Sequence, residues 1–270
     1  TKDFLRFPFI SQKSDDAICI RQIRNRLSYF TKMLVNTSSI HSAFVSSDEK
    51  FDDASVAQSL CGIALRCSRG KELTFFMESL EQYDEYLKAR LSQKRYIHSK
   101  NVSEASVMLA KKFGGTDVET ARFAGLVHDI CKEEPEDVQY TLMMQSSMDV
   151  CMEERKAFKV WHGIAGAELL RTKFGVTDED VLHAVRFHTV GRAGMSNLEK
   201  IVYLADMISA ERDYPDVDVM REKAAESLNA GMAYALKYSL IKLVRREALI
   251  PHHTVEAYNE VLTELQQQEG

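Results

Sequence analysis

The sequence predicts an all-α protein, a helical bundle with an additional, mainly helical N-terminal region. Only four prolines occur in 270 residues, and none lies between Pro8 and Pro135, so a long run of chain has no proline to interrupt a helix. Apolar residues recur at three- and four-residue steps, the period of a helix face rather than of a strand. Glycines and capping residues stand where these stripes begin and end.

Ile20, Ile23, Leu27, Phe30 and Leu34 form the first stripe. The Ser- and Asp-rich stretch from Asn36 to Asp53 reads as a loop, and stripes resume at Val56-Ala57-Leu60-Cys61-Ala64 and at Leu73-Phe76-Leu80-Tyr83-Leu87. Residues 1–90 hold no chemical constellation, and His41 reads as part of a solvated loop. From residue 91 the punctuation sharpens. A helix from about Ile97 carries Val102, Ala105 and Leu109 on one face and stops at Gly114-Gly115, good C-cap residues. Thr116 is expected to cap the next helix, which bears His128 and Asp129 and ends before Pro135. Residues 133–158 mix short helical signals with acidic patches.

His162-Gly163-Ile164-Ala165-Gly166-Ala167 opens a helix that ends at Gly175. Thr177 and Asp180 have capping-box spacing for a helix running to His188, and a glycine-containing turn follows from Gly191 to Gly194. Ser196 and Glu199 repeat the capping-box pattern ahead of a helix containing Asp206. Further helices, split near Gly231 and at Pro251, finish the chain. The expected division is residues 1–90, with no assigned role, and residues 91–270, which hold the chemistry.

Bulk properties narrow the function. A net charge of -5 argues against a general nucleic-acid binder, which carries a basic field. The five cysteines (Cys19, Cys61, Cys67, Cys131 and Cys151) are odd in number and form no Cys-x-x-Cys pair, which reads as free thiols in a reducing cytoplasm. No run approaches the roughly 18 apolar residues of a membrane span, and the N-terminus lacks a cationic-then-apolar signal pattern. Thr1 is not a natural start, so processing or a missing leading segment is expected.

The chemistry centres on Ala124-Gly125-Leu126-Val127-His128-Asp129-Ile130-Cys131-Lys132. Read as a helix, His128 shares the inward face of Ala121, Ala124 and Gly125. Burying an imidazole beside a carboxylate costs several kcal/mol unless something neutralises them, and a divalent metal does so. The dipeptide alone is a weak signal. Four further residues are polar on or beside apolar stripes: His98 in line with Val102 and Ala105, His162 with Ala165 and Leu169, His188 after Ala184 and Val185, and Asp206 beyond Val202. A lone histidine of this kind is most often a hydrogen-bonded core or rim residue. Several within one stretch, all of types that divalent metals prefer, point to a metal centre. His183 reads as structural, His252-His253 as a surface feature at a helix start, and Cys131 and Trp161 as packing residues.

The order His98, His128-Asp129, His162, His188 and Asp206 resembles the HD-domain metal-dependent phosphohydrolase superfamily, in its form with extra histidines for a second metal. Lys94-Arg95-Tyr96-Ile97-His98, His188-Thr189-Val190-Gly191-Arg192-Ala193-Gly194-Met195 and Leu198 through Asp206 narrow the resemblance to the YqeK family over about two-thirds of the chain. That family hydrolyses diadenosine tetraphosphate symmetrically into two ADP.

The resemblance implies that His98, His128, Asp129 and Asp206 hold one metal and that Asp129 bridges to a second, completed by His162 and His188. The two divalent or trivalent ions would be iron, with manganese or cobalt able to serve. Asp129 and Lys132 are the catalytic candidates. Arg95, Lys132, Thr189, Gly191, Arg192 and Arg212 are the candidates for substrate binding. A carboxylate-bridged ion pair roughly 3.5–4 Å apart suits activation of water and clamping of a phosphate oxygen. The resemblance also implies a small nucleotide substrate and a homodimer, with neither nucleic acid nor membrane as partner. Two departures stand out: Ala193 replaces the usual proline, and Ala210-Glu211 replaces a Pro-Gly before Arg212. Two other readings keep the metal site, one with another nucleotide or an alarmone as substrate and one a non-catalytic nucleotide sensor or scaffold. No nucleotidyltransferase histidine motif accompanies the N-terminal region.

Overall fold

All regular structure among the described residues is helical, as the long helix-period stripes require. The computed structural model describes residues 80–269, with side chains to residue 267. The expected stripes over residues 20–34 and 56–64, the loop at 36–53, His41 and three of the cysteines lie outside these residues.

Eleven helices follow one another among the described residues. Helix α1 occupies residues 80–90, α2 Gln93–Phe113 and α3 Val118–Val127. Helices α4 (Glu136–Gln145) and α5 (Met152–Arg155) fill the stretch whose signals were mixed. Then come α6 (Phe158–Lys173), α7 (Glu179–Phe187) and α8 (Asn197–Ile208). Helices α9 (Val217–Glu226), α10 (Leu228–Arg245) and α11 (His252–Glu269) end the fold.

Helix ends differ from the sequence expectation where two capping side chains compete. Asp117, not Thr116, caps α3: its carboxylate accepts from Thr120 N at 2.9 Å. Asp178, not Thr177, caps α7, accepting from Asp180 N at 3.0 Å. A carboxylate accepts such bonds and also complements the positive helix start, so it outcompetes a neighbouring hydroxyl. Ser196 and Glu199 do form the expected capping box on α8. Helix α6 begins before His162, and α2 before Ile97. Gly231 lies inside α10; the break is at Ser227, whose Oγ accepts from Ala230 N at 3.0 Å.

The largest correction concerns the His-Asp pair itself. Helix α3 stops at Val127, His128 is its C-cap, and residues 129–133 form tight turns closed by Ile130 N to Val127 O (3.0 Å) and Lys132 N to Asp129 O (2.9 Å). These turns carry Asp129 and Lys132 off the helix axis.

Helix α2 packs on α3 and α8, α7 bridges α6 and α8, and α4 covers α6. The interior is aliphatic: Val102, Leu109, Ala124, Val127, Leu170, Val185, Leu198, Val202 and Leu204 are buried, joined by Tyr83 and Leu87 of α1. Two glycines bring the site helices close. A Cβ at Gly125 would sit 2.5 Å from Ser106 Oγ and 3.0 Å from Ser103 Cα, so α3 meets α2 with no side chain between them. A Cβ at Gly163 would lie 3.0 Å from Arg186 O, so α6 rests on the backbone at the end of α7.

Candidate active site

These crossings gather six side chains from five helices and the turn after one of them. His98 projects from α2, His128 from the end of α3, Asp129 from the turn after it, His162 from α6, His188 from the end of α7, and Asp206 from α8. All but Asp206 are buried.

Asp129 divides its two oxygens. Oδ2 faces His128 Nε2 at 3.6 Å and His98 Nε2 at 3.7 Å. Asp206 Oδ1 adds to this side, 3.0 Å from His98 Nε2 and 4.0 Å from His128 Nε2. Oδ1 of Asp129 faces the other way, 3.3 Å from His162 Nε2 and 3.5 Å from His188 Nε2.

The outer ring nitrogens settle the tautomers. His128 Nδ1 donates to Gly125 O at 2.8 Å, and His188 Nδ1 donates to Val185 O at 2.7 Å. His98 Nδ1 donates to the Glu211 carboxylate. With those protons turned outward, the Nε2 atoms of His98, His128 and His188 turn inward. They meet at 3.2 Å between His98 and His128, and again at 3.2 Å between His162 and His188. Two unprotonated nitrogens at this distance repel unless a cation lies between them. Asp129 Oδ1 is buried and has no hydrogen-bond partner, which costs roughly 1–3 kcal/mol unless an electrophile satisfies it. The donor set, imidazole and carboxylate, fits divalent transition metals. Among the described residues, His98/His128/Asp129 and Asp129/His162/His188 are groups able to hold an ion.

The protonation states of His128 and His162 suit that role, whereas at His98, against its burial, the Asp206 and Glu211 carboxylates raise the pKa. Burial lowers His128 to about 4 and holds His162 well below the usual imidazole range, so both are neutral ligands at neutral pH. Burial would raise the carboxyls of Asp129 and Asp206, but the neighbouring His128 and Lys132, and His98 and Arg212, hold them well below the usual carboxylate range. Lys132 Nζ lies 3.0 Å from His162 Nε2 and 3.8 Å from Asp129 Oδ1. Burial and the nearby Arg95 and Arg212 lower its pKa despite Asp129.

The expected cations divide into two groups. Arg95 donates to Asp129 Oδ2 at 3.2 Å, and Arg212 pairs with Asp206, its Nε donating to Asp206 O at 2.7 Å. Both line a cleft of about 420 Å³ with Lys94, His98, Tyr214, Tyr238 and Lys242. Arg192 instead forms a two-pronged pair with buried Glu199, at 2.7 and 2.8 Å. Gly191 packs against Leu236 and Ala257, and Thr189 lines a separate cavity. The structure therefore does not bring Arg192, Gly191 or Thr189 into the cluster.

Other residues fall largely as the sequence suggests. Trp161 is buried and donates to Glu154 O at 2.8 Å, and Cys131 is fully buried with its thiol pushed up to about 12. His253 is a correction. His252 is exposed at the start of α11, but His253 is buried against Glu154 and Phe187. The adjacent Cys151, Glu154 and His253 could also hold an ion by proximity, but Arg186 already neutralises Glu154 there, at 2.8 and 2.9 Å.

Glu211 was missed. It accepts from His98 Nδ1, from Asn101 Nδ2 at 2.6 Å and from Ser209 Oγ at 2.8 Å. It lies in the loop after α8, where no periodicity marks it; the only sequence signal was its place in the departure before Arg212.

A family model described as HD domain matches residues 95–211. The chain is 34% identical over 173 residues to a Bacillus subtilis (strain 168) protein named bis(5'-nucleosyl)-tetraphosphatase, symmetrical, over 64% of this chain and 92% of the relative. A protein of the same name from Halalkalibacterium halodurans is 35% identical over 180 residues, 66% of this chain and 94% of the relative. A crystal structure of a Clostridium acetobutylicum protein, described as a predicted HD superfamily hydrolase involved in NAD metabolism, is similar with a TM-score of 0.65 and 35% identity, covering 68% of this chain and 97% of that one. With the two-sided histidine cluster already on the HD helices, these likenesses place the chain in the YqeK-type family of HD-domain phosphohydrolases.

Proposed function

We propose that this chain is a metal-dependent hydrolase that splits dinucleoside tetraphosphates, with diadenosine tetraphosphate as its substrate, symmetrically into two nucleoside diphosphates. The observation that carries the reading is the split of Asp129 between two histidine pairs, in a chain whose relatives are named for symmetrical tetraphosphate cleavage.

His98, His128, Asp206 and Asp129 would hold one ion, and Asp129, His162 and His188 the other. When bound, divalent ions supply polarisation of a phosphate oxygen and acidification of water. We take them to be iron, with manganese or cobalt able to substitute. The chain's own residues do the rest. Arg95 and Arg212, on the rim of the cleft, bind phosphate oxygens and align the chain of four phosphates. Water adds its oxygen to one of the two central phosphorus atoms, and the P–O bond linking them breaks. The bridging oxygen leaves on the other nucleoside diphosphate, and Lys132, beside the reacting groups, stabilises the charge that develops.

Residues 91–270 form the hydrolase unit in this reading, with α1 packed upon it. Residues 1–79 carry no assigned role. The free buried thiols Cys131 and Cys151 fit a reducing cytoplasm, and no described helix is long and apolar enough to cross a membrane. The net charge of -5 supports a small-molecule rather than nucleic-acid partner, and we expect the family's homodimer.

The test is anaerobic purification, metal analysis and chromatography of the products from a panel of dinucleoside polyphosphates. The reading requires ADP as the sole product of diadenosine tetraphosphate. An ATP-plus-AMP pair, or preferred turnover of another nucleotide, would replace the substrate. Full metal occupancy with no nucleotide hydrolysed would make the protein a sensor or scaffold.

A further inference from the structure

Away from the Asp129 cluster, the loop before α5 and the start of α11 bring together a second set of ligand atoms. Cys151, Glu154 and His253 lie within ligating reach of one another, and so do Asp149, His252 and His253, so His253 is common to both groups. Glu154 is not available as a ligand. Both its oxygens accept from Arg186, and Oε2 also accepts from Cys151 N at 3.0 Å. The remaining donors are a thiol, a carboxylate and two imidazoles, and none of them takes part in the hydrolytic site.

His253 is the residue that needs an explanation. It is 8% exposed, and its Nε2 is buried with no hydrogen-bond partner. A buried polar atom left in that state costs roughly 1–3 kcal/mol. Nε2 faces Asp149 Oδ2 at 3.5 Å and Glu154 Oε2 at 3.7 Å, too far for a good hydrogen bond. Two ligands of one tetrahedral ion stand about 3.3–3.5 Å apart when their bonds are roughly 2.0–2.2 Å long, and Asp149 has that spacing. The ring is held from its other sides. Phe187 meets it edge-on with centroids 5.6 Å apart, and Nδ1 faces Glu256 of the same helix at 4.0 Å.

Cys151 is buried beside these groups, and its thiol is pushed up to about 12, chiefly by burial. A bound cation reverses that balance, because a coordinated thiol gives up its proton. One thiolate and one carboxylate neutralise a divalent ion, and thiolate with imidazole is the ligand chemistry of zinc. Arg186 supports the arrangement: its Nη2 donates to Asp149 O at 2.6 Å, which fixes the loop that carries Asp149. Asp149 and His252 are exposed, which gives an ion a path in from solvent.

We propose that Cys151, His253, Asp149 and His252 form a zinc site that fastens the start of α11 to the loop before α5, beside the end of α7 from which His188 projects. With two exposed ligands the ion exchanges with solvent, so titration reads it rather than the metal content of the protein as purified. Cobalt(II) added to the full chain, its cluster loaded with colourless manganese, should give a near-ultraviolet thiolate-to-cobalt band. The hydrolytic cluster, with nitrogen and oxygen ligands alone, cannot produce that band. Cys151→Ser should abolish it, and His253→Phe should weaken cobalt binding at least tenfold. Zinc should bleach the band and raise the melting temperature of wild type but not of Cys151→Ser. A band of full intensity in Cys151→Ser would put the thiolate elsewhere and overturn the site, as would a wild type that shows no band. The wild-type result stands whether or not either variant folds.

Discussion

His98 and Glu211 are coupled across 113 residues of sequence: the ring Nδ1 of one donates to the carboxylate of the other. The bond fixes the tautomer that turns His98 Nε2 toward Asp206 and Asp129. Burial opposes ionisation of Glu211, but the His98 and Asn101 bonds lower its carboxyl to about 2, so it is charged across the neutral range. A carboxylate behind a ligating imidazole orients the ring and raises its basicity. Glu211→Ala should weaken metal affinity about 10- to 100-fold, read by competition with a chromogenic chelator. Unchanged affinity would make Glu211 a loop-shaping residue only.

Asp129 faces both histidine pairs, so its loss should empty both positions while loss of His188 empties one. Elemental analysis should give no tightly held ion in Asp129→Ala and one in His188→Ala. Equal metal content in the two variants would refute the bridge. Turnover in Asp129→Ala should fall below detection, and chelation of wild type should abolish activity that added metal restores.

Close approach at Gly125 brings α3 onto α2, and a larger side chain there must push the helices apart. Gly125→Val places branches against Ser103 and Ser106. The cost should be about 1–3 kcal/mol, as for other overpacked cores. Because the displaced helix ends in His128, metal affinity should fall as well as the melting temperature. A variant that melts lower but binds metal normally would show that the crossing supports the fold alone.

Away from the metal cluster, where buried His128 and His162 resist protonation in the same way, acid sensitivity should also arise at Glu154, Arg186 and His253. Burial opposes ionisation of Glu154, but the Arg186 guanidinium overrides it and keeps the carboxyl below its ordinary range. That stabilisation is present above the unfolded pKa of about 4.3 and is lost as pH falls through the lower folded value. His253 is lowered by burial, against the pull of Glu154. Below the unfolded value of about 6.5, the unfolded chain takes up a proton that the folded one resists, so stability falls with pH there too. Apoprotein melting curves should decline from about pH 6.5 downward, less steeply in His253→Phe.

Removal of one partner from that pair should be far worse than acidification. Arg186 and Glu154 are both fully buried, so Arg186→Met leaves an uncompensated carboxylate and should cost about 3–5 kcal/mol. Denaturant titration would measure this. Loss below about 1 kcal/mol would place the pair with surface ion pairs.

The sequence revealed the six clustered residues because five of them are buried polar groups on or next to helix faces that are otherwise aliphatic. It misplaced the helix ends around them. Thr116 and Asp117, like Thr177 and Asp178, are adjacent capping residues, and only the local turn decides which reaches the free amides. Arg192 looked like a phosphate ligand because a cation after His188 matches the family pattern, yet Glu199 occupies its guanidinium. Glu211 could not be inferred from spacing, since its partners Asn101 and His98 lie 110 and 113 residues earlier in the chain, on α2.

His128 and His188 share one local device: each closes a helix by donating from Nδ1 to the carbonyl three residues earlier. The geometry of these two rings is thus encoded within a single turn of chain and needs no ion to create it. The entropy of orienting them is lost when the helices form, not when metal arrives. Exchange of one metal for another then requires little rearrangement, and what the cell supplies, more than what the protein can grip, would decide which element is found inside.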